Sequence, residues 1–298
     1  MKESLKYSLL PLIVLFGVLF FQLSCNRSHN PKRTIAVTIQ PQKYFAERLA
    51  GDKFDIFCVV PSGSSPESYD PSASLVLQLG KSDAYFKVGE LGFELAWMDK
   101  IQHNNPDLKI FDLSQGIEPV VGTHMCIHDE DDSHSHEISS TDPHYWNSPK
   151  EVKIMLQNMC NAFIELDPEN EDYYKNNLKT ILEEVEDVDS EIQSILTNNK
   201  SSAFLIYHPA LSYFARDYGL KQLSIEENGK EPTPNHLKNL IDSARTNNIH
   251  VIFVQREFDT NNAAVIAGET QSMIIEIDPL NYNWKHEMIR IANAFIHE

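Results

Sequence analysis

The chain has 298 residues, of which 42% are hydrophobic, and this length is enough for two compact domains or one large one with a substantial core. Its formal net charge of −18 argues against a nucleic-acid partner, because phosphate binding needs clustered Lys and Arg. The same charge is compatible with gathering cations, although an acidic surface that only keeps the protein soluble explains it at least as well.

The first residues are typical of a secretory signal peptide, predicted here over residues 1–24. Two lysines precede an apolar run over residues 9–21, which is short for a membrane-spanning helix. Cys25 follows and resembles the lipid-attachment cysteine of a bacterial lipoprotein signal, although Gln22 stands where such signals prefer an aliphatic residue. We therefore expect lipid anchoring to a membrane at Cys25, with an ordinary secreted protein carrying a free Cys25 as the alternative.

After a short tether over residues 25–33, the chain alternates between strand-like and helix-like segments. The predicted strands are rich in β-branched and apolar residues and cover residues 34–39, 55–60, 84–88, 109–113, 203–207, 250–254 and 273–277. The predicted helices lie at residues 42–50, 72–81, 149–166, 209–218, 234–247 and 261–271. This alternation predicts an α/β fold with mainly parallel sheets.

A long amphipathic segment divides these elements into two groups. Asp167 and Pro168 are suited to the start of a helix, and apolar residues then recur mostly at spacings of three and four. A helix over residues 167–197 would be about 45 Å long. We therefore predict an N-terminal lobe over residues 34–166 and a C-terminal lobe over residues 198–298, joined by this one long linking helix.

A histidine-rich stretch lies within the N-terminal lobe at residues 123–137. It carries four imidazoles among acidic residues, namely His124, His128, His134 and His136. Such a density of nitrogen and oxygen donors, with little apolar content to bury, predicts a protein that handles a divalent transition metal. A disordered polar loop with no role in metal handling is the alternative.

Four further metal-capable side chains each lie beside a proline, at the predicted end of a strand or in a loop. They are Glu67, His144, His208 and Asp278. Proline biases the neighbouring backbone toward extended geometry, and open α/β sheets bind ligands in the crevice outside their strand ends. Two of the four come from each half of the chain, so a cleft between the lobes would bring all four to one ion.

Several short motifs follow one another in a specific order along nearly the whole mature chain. They are VPSGSSPESYDP at residues 60–71, DPHYW at 142–146, YHPA at 207–210, YFA at 213–215, EPTP at 231–234 and IDPL at 277–280. With these motifs the chain resembles the solute-binding lipoproteins of bacterial zinc and manganese ABC importers, and it is most like the zinc-binding members. The resemblance implies a metal ion held between two lobes that a long helix bridges.

Carried over by position, the resemblance implies metal ligation by His144, His208 and Asp278, while Glu67 stands where the family usually has a histidine. A Glu67 oxygen can ligate Zn²⁺, but two carboxylates with two imidazoles form a harder ligand set that favours Mn²⁺ or Fe²⁺. If Glu67 is only a surface loop residue, three protein ligands and a water remain. The histidine-rich stretch resembles the accessory metal-scavenging loop of the zinc-type members and so supports zinc.

We therefore predict a non-enzymatic, extracytoplasmic receptor on the periplasmic side, a monomer that captures Zn²⁺ and delivers it to the permease of an ABC importer. A manganese or iron receptor of the same family is the first alternative. A secreted zinc hydrolase is a remote one: His286 and Glu287 begin an HExxH motif, but Arg290 replaces its second histidine. An adhesin is a third, although a metal site buried between lobes gives an adhesin no evident advantage.

Overall fold

The computed structural model describes residues 32–122, 140–197, 201–227 and 229–296. By compactness the chain divides into Met1–Lys32 and Arg33–Glu298, and almost all of the described residues belong to the second unit. The predicted signal peptide, the predicted lipid-anchor residue Cys25 and the four histidines of the histidine-rich stretch lie outside the described residues. Within the described ranges, no helix combines the length and the apolar character needed to cross a bilayer.

The N-terminal lobe is built on a four-stranded parallel sheet. Its strands, in the spatial order β2-β1-β3-β4, are β1 (Arg33–Val37), β2 (Phe54–Cys58), β3 (Ala84–Lys87) and β4 (Lys109–Asp112). The connecting helices are α1 (Gln40–Ala50), α2 (Ala73–Leu79) and α3 (Gly92–Asn104). Because adjacent strand residues point to opposite faces, Ile35 packs into one apolar core and Ala36 into another. The sheet is therefore covered on both faces.

A short antiparallel pair of strands follows β4. It consists of β5 (Val121–Gly122) and β6 (Ser140–Thr141), with Val121 opposite Thr141. The two strands lie immediately before and after residues 123–139, which include the histidine-rich stretch and lie outside the described residues.

The C-terminal lobe repeats the topology of the N-terminal sheet. Its strands, in the spatial order β10-β9-β7-β8, are β7 (Ala203–Ile206), β8 (Lys221–Ser224), β9 (Val251–Gln255) and β10 (Met273–Ile277). The connecting helices are α6 (Ser212–Asp217), α7 (Pro234–Thr246) and α8 (Asn261–Thr270). In each sheet the second and third strands lie on opposite sides of the first. Each sheet therefore has a crevice beside the carboxyl end of its first strand, where ligands bind in open α/β sheets.

Three helices join the lobes, namely α4 (Pro149–Leu166), α5 (Glu171–Leu196) and α9 (Trp284–Ala294). The Ser148 hydroxyl caps α4 by accepting from the Glu151 N–H, and proline suits the first helical position. A 3₁₀ turn over Pro168–Asn170 leads into α5, which has 26 residues and is therefore about 39 Å long. This is the predicted linking helix.

One apolar core continues from one lobe into the other. Its members include Phe86 of β3, Val185 of α5, Phe253 of β9 and Ile291 of α9, and all of them are buried. The linking helix thus lies within this shared core, packed against α1, α4 and α9, instead of spanning a gap between the lobes. The prediction of an α/β fold with two mainly parallel sheets and a long linking helix is confirmed.

Two buried tryptophans form hydrogen bonds across the boundary between the lobes. Trp146 Nε1 donates to the carbonyl of Pro279 (2.9 Å), and Trp284 Nε1 donates to the carbonyl of Trp146 (2.6 Å). Asn147 Nδ2 donates to the carbonyl of Ala210 at 2.9 Å. These bonds hold the loops that follow β7 and β10 against the segment that follows β6.

Candidate metal site

The structure brings three of the four predicted ligands together. Ligand atoms of Glu67, His144 and His208 all lie within 4.8 Å of one another. The Nε2 atoms of His144 and His208 are 3.2 Å apart, and Glu67 Oε1 lies 3.7 Å from His144 Nε2. Two ligand atoms bound to a tetrahedral Zn²⁺ are separated by about 3.4 Å, so these separations suit a single shared ion.

His144 is held by the aspartate two residues before it. Asp142 Oδ1 accepts from the His144 backbone N–H and lies 2.8 Å from His144 Nδ1, which turns Nε2 toward the cleft. Burial lowers the pKa of His144, but the Asp142 and Glu67 carboxylates outweigh burial, and this pKa is raised above its ordinary value. The same partnership lowers the pKa of Asp142 against the opposing effect of burial.

His208 is fixed by three neighbours at the carboxyl end of the second sheet. Its Nδ1 lies 2.9 Å from Glu226 Oε1. The Gln255 side chain, at the end of β9, accepts from the His208 N–H at 3.2 Å and donates to the His208 carbonyl at 2.6 Å. The Phe258 ring stacks on the imidazole with centroids 5.6 Å apart and planes 16° apart. Glu226 and Phe258 therefore fix the orientation of the imidazole ring, and Nε2 points toward His144.

Glu67 lies in the loop that follows β2 and uses one carboxylate oxygen on the protein. Its Oε2 accepts from the Gly92 N–H at 3.1 Å. Its Oε1 is buried and has no hydrogen-bond partner among the residues that the structure describes. A buried carboxylate oxygen without a donor costs free energy, and a bound cation would relieve that cost.

Asp278, the fourth predicted ligand, is not a member of this group. It follows β10, where its backbone N–H donates to Glu287 Oε1 at 2.7 Å and Asn281 Nδ2 donates to its Oδ2 at 3.4 Å. Burial raises the pKa of Asp278, and the nearby Glu287 carboxylate raises it further. The structure thus places Asp278 beside the site but does not bring its carboxylate to the other three.

The three grouped side chains lie between two cavities. The smaller cavity, of about 20 Å³, is also lined by Trp146 and Glu257 and has room for one ion or water. The larger cavity, of about 610 Å³, is also lined by Glu90, Val121 and Thr141. The last two residues belong to β5 and β6, the described elements that come before and after the histidine-rich stretch in the chain.

The match to a known family covers most of the chain. Residues 35–288 match the family model of ZnuA, described as the periplasmic component A of a zinc-uptake complex. The chain belongs to the ZnuA family. ZnuA-family proteins are periplasmic metal-binding receptors of ABC importers with zinc and manganese members, and they are not enzymes. The resemblance predicted from the motifs is confirmed.

Individual proteins are similar to this chain over most of their length. A putative metal-binding protein of Chlamydia trachomatis serovar D is 28% identical over 286 residues, covering 94% of this chain and 98% of that protein. The manganese ABC transporter substrate-binding lipoprotein PsaA of Streptococcus anginosus is 26% identical over 234 residues, covering 75% of this chain and 72% of that protein. A crystal structure of ZnuA has a TM-score of 0.80 at 34% identity, covering 88% of this chain and 97% of that chain.

Reasoning from the ZnuA-family motifs missed three acidic residues of the site. Asp142 stands two residues before a histidine ligand candidate, and its tendency to bond the backbone two residues on was a usable signal. Glu226 follows His208 only after the whole of α6 and β8, so no local pattern indicated it. Glu257 lines the smaller cavity, and burial raises its pKa although His208 opposes the rise.

Proposed function

We propose that this protein captures Zn²⁺ outside the cytoplasm, in the cleft between its lobes, and delivers it to the permease of an ABC importer. The observation that carries the proposal is the convergence of Glu67, His144 and His208, whose ligand atoms lie within 4.8 Å of one another. In this proposal all three bind the ion, and Asp278 or a water completes the site. Membership of the ZnuA family supports a receptor role.

The hydrogen bonds behind the two imidazoles support a cation between them. Each histidine Nδ1 lies within 2.9 Å of a carboxylate oxygen, and donation of that N–H leaves a lone pair on each Nε2. Two such lone pairs at 3.2 Å repel each other. A shared Zn²⁺ removes the repulsion, and the Glu67 carboxylate offsets part of its charge.

Zinc is proposed ahead of manganese because imidazole nitrogens dominate the group and the ligand separations suit four-coordination. The histidine-rich stretch over residues 123–137 adds four further imidazoles. Mn²⁺ is the second candidate, since Glu67 together with Asp278 would harden the ligand set. A relative described as a manganese-transporter lipoprotein supports this alternative.

The remaining parts of the proposal concern export and delivery. The signal peptide over residues 1–24 directs the chain out of the cytoplasm, and a lipid on Cys25 holds the receptor at the membrane. The histidine-rich stretch collects Zn²⁺ beside the larger cavity, whose wall includes Val121 and Thr141. The receptor works as a monomer and docks on the permease, which takes the ion.

Elemental analysis of the mature protein after equilibration with equal concentrations of Zn²⁺ and Mn²⁺ tests the proposal. The expected result is one tightly held zinc per chain in the wild type and none in His144→Ala or His208→Ala. His103→Ala is the control, because this exposed histidine lies at the far end of α3 from the Glu67 loop. Deletion of residues 123–137 should leave the single tight site intact.

Two outcomes would overturn different parts of the proposal. A preference of the wild type for Mn²⁺ would show that manganese, and not zinc, is the transported metal. Retention of zinc by both histidine variants would show that the tight zinc site does not lie between the lobes. Metal-dependent hydrolysis by the loaded protein would instead support the hydrolase alternative.

A further inference from the structure

The N-terminus of α3 holds the loop that carries Glu67. The Gly92 N–H donates to Glu67 Oε2 at 3.1 Å, and the Phe93 N–H donates to the carbonyl of Pro66 at 2.9 Å. The first N–H groups of a helix have no partner within the helix, and the partial positive charge there attracts a carboxylate. Two of these N–H groups of α3 are therefore used to bind the Glu67 loop.

This approach is so close that it requires glycine. A Cβ atom at Gly92 would lie 2.1 Å from the carbonyl oxygen of Glu67 and 2.9 Å from its carbonyl carbon. Both contacts are with backbone atoms, so a side-chain rotation cannot relieve them. Any other residue at this position would push α3 and the Glu67 loop apart.

The start of α3 is anchored more firmly than the loop. The buried Glu94 carboxylate, in the first turn, accepts from the N–H groups of Val88 at 2.7 Å and Gly89 at 2.6 Å. The Glu67 N–H is bonded within its own loop, at 3.3 Å. A side chain added at Gly92 would therefore displace the Glu67 loop rather than α3.

The helix terminus leaves the Glu67 carboxylate with a single oxygen for a metal. Oε2 is occupied by the Gly92 N–H, while the buried Oε1 has no hydrogen-bond partner in the described part of the chain. That oxygen faces the histidine pair, 3.7 Å from His144 Nε2. One oxygen of Glu67 thus binds the helix terminus, and the other is available to a metal ion.

We infer that Gly92 is a positioning residue that makes Glu67 a one-oxygen metal ligand and thereby favours Zn²⁺ over ions that take more ligands. The inference rests on the proposed function, because it requires Glu67 to bind the ion. A carboxylate bound through one oxygen fills one position, which suits four-coordinate zinc. A carboxylate released from Gly92 can bind through both oxygens, as oxygen-preferring cations with larger ligand shells allow.

Competition titrations of the mature protein with a chromophoric chelator, for Zn²⁺ and for Mn²⁺ separately, test the role of Gly92. Gly92→Ala should weaken zinc binding at least tenfold and reduce the preference for zinc over manganese. Gly268→Ala is the matched control, since a Cβ atom there would meet no atom of the described residues within 4 Å apart from its chain neighbours and the backbone of its own helix. Equal zinc affinity and equal preference in Gly92→Ala and the wild type would overturn the inference.

A double-mutant cycle shows whether Gly92 acts through Glu67. In a Glu67→Ala background, Gly92→Ala should cause no further loss of zinc affinity. The same loss in both backgrounds would overturn the inference while leaving the proposed ligands intact. Zinc binding by Glu67→Ala at the wild-type affinity would instead remove Glu67 from the proposed ligand set, and the role of Gly92 with it.

A crystal structure of the zinc-loaded wild type tests the inference without any substitution, and so does not depend on the folding of Gly92→Ala. The expected result has Oε1 of Glu67 on the ion and Oε2 still on the Gly92 N–H. Both oxygens of Glu67 on zinc would overturn it.

Discussion

The carboxylate behind His208 should contribute to zinc affinity although it does not touch the ion. Glu226 Oε1 lies 2.9 Å from His208 Nδ1, and the Glu226 side chain is only 7% exposed, so water screens this bond weakly. A hydrogen bond to a charged group contributes about 1.5–3 kcal/mol. Glu226→Gln keeps an acceptor but loses the charge, and we expect about a tenfold loss of zinc affinity. Glu226→Ala leaves Nδ1 without this partner, and we expect about a 100-fold loss.

Competition against a zinc chelator at neutral pH measures both losses, and thermal unfolding of the metal-free proteins checks that the variants are folded. Glu186→Gln is the control, because its carboxylate is 64% exposed and pairs with Lys153 on the surface. Wild-type affinity in both Glu226 variants would refute the reasoning. A larger loss for the glutamine variant than for the alanine variant would refute it as well.

Zinc affinity should fall as the pH drops from about 7 toward 6. Because the pKa of His144 is raised, a proton competes with zinc for its imidazole at a higher pH than for an ordinary histidine. Zinc affinity that stayed constant down to about pH 5 would contradict imidazole ligation. Calorimetric titration should show a larger loss of zinc affinity for Asp278→Asn, the proposed fourth ligand, than for Glu257→Gln in the lining of the smaller cavity, and the reverse order would favour Glu257 as the fourth ligand. Trp146→Phe should lower the free energy of unfolding by about 1–3 kcal/mol, because the Pro279 carbonyl loses its buried donor. Urea unfolding measures this change, and unaltered stability would contradict it.

Elements with strong local signals were predictable from the sequence. The predicted helix over residues 149–166 coincides with α4, since Ser148 and Pro149 mark its start and apolar residues recur at helical spacing. Strand β8 was not predicted, because Lys221–Ser224 is mostly polar and becomes a strand by pairing with β7 at the edge of the sheet. Helices α3 and α9 were also missed, so one wall of the site was absent from the predicted fold.

The candidate ligands were predictable by residue type, but their arrangement was not. The motifs indicated Glu67, His144 and His208, which the fold then brings together from three separate segments. The position of Asp278 depends on contacts that no local pattern encodes, including the bond from its N–H to Glu287 in α9. The two oxygens of the Glu67 carboxylate have different partners because α3 binds one of them, and α3 was not predicted. Tertiary packing therefore decides which predicted ligand can reach the ion.

The apolar core that β3, α5 and β9 share limits how far the lobes can separate when the metal ion is released to a transporter. Swinging the lobes apart would expose buried side chains that meet across the boundary, such as Phe45 and Trp284, whose ring centroids are 5.1 Å apart, each at about 1.5–3 kcal/mol. A few such exposures already equal the whole stability of a typical domain, about 5–15 kcal/mol. Full and empty receptors should therefore have nearly the same outline. A transporter would then distinguish metal-loaded from metal-free receptors by the positions of a few side chains at the opening of the cleft, and not by overall shape.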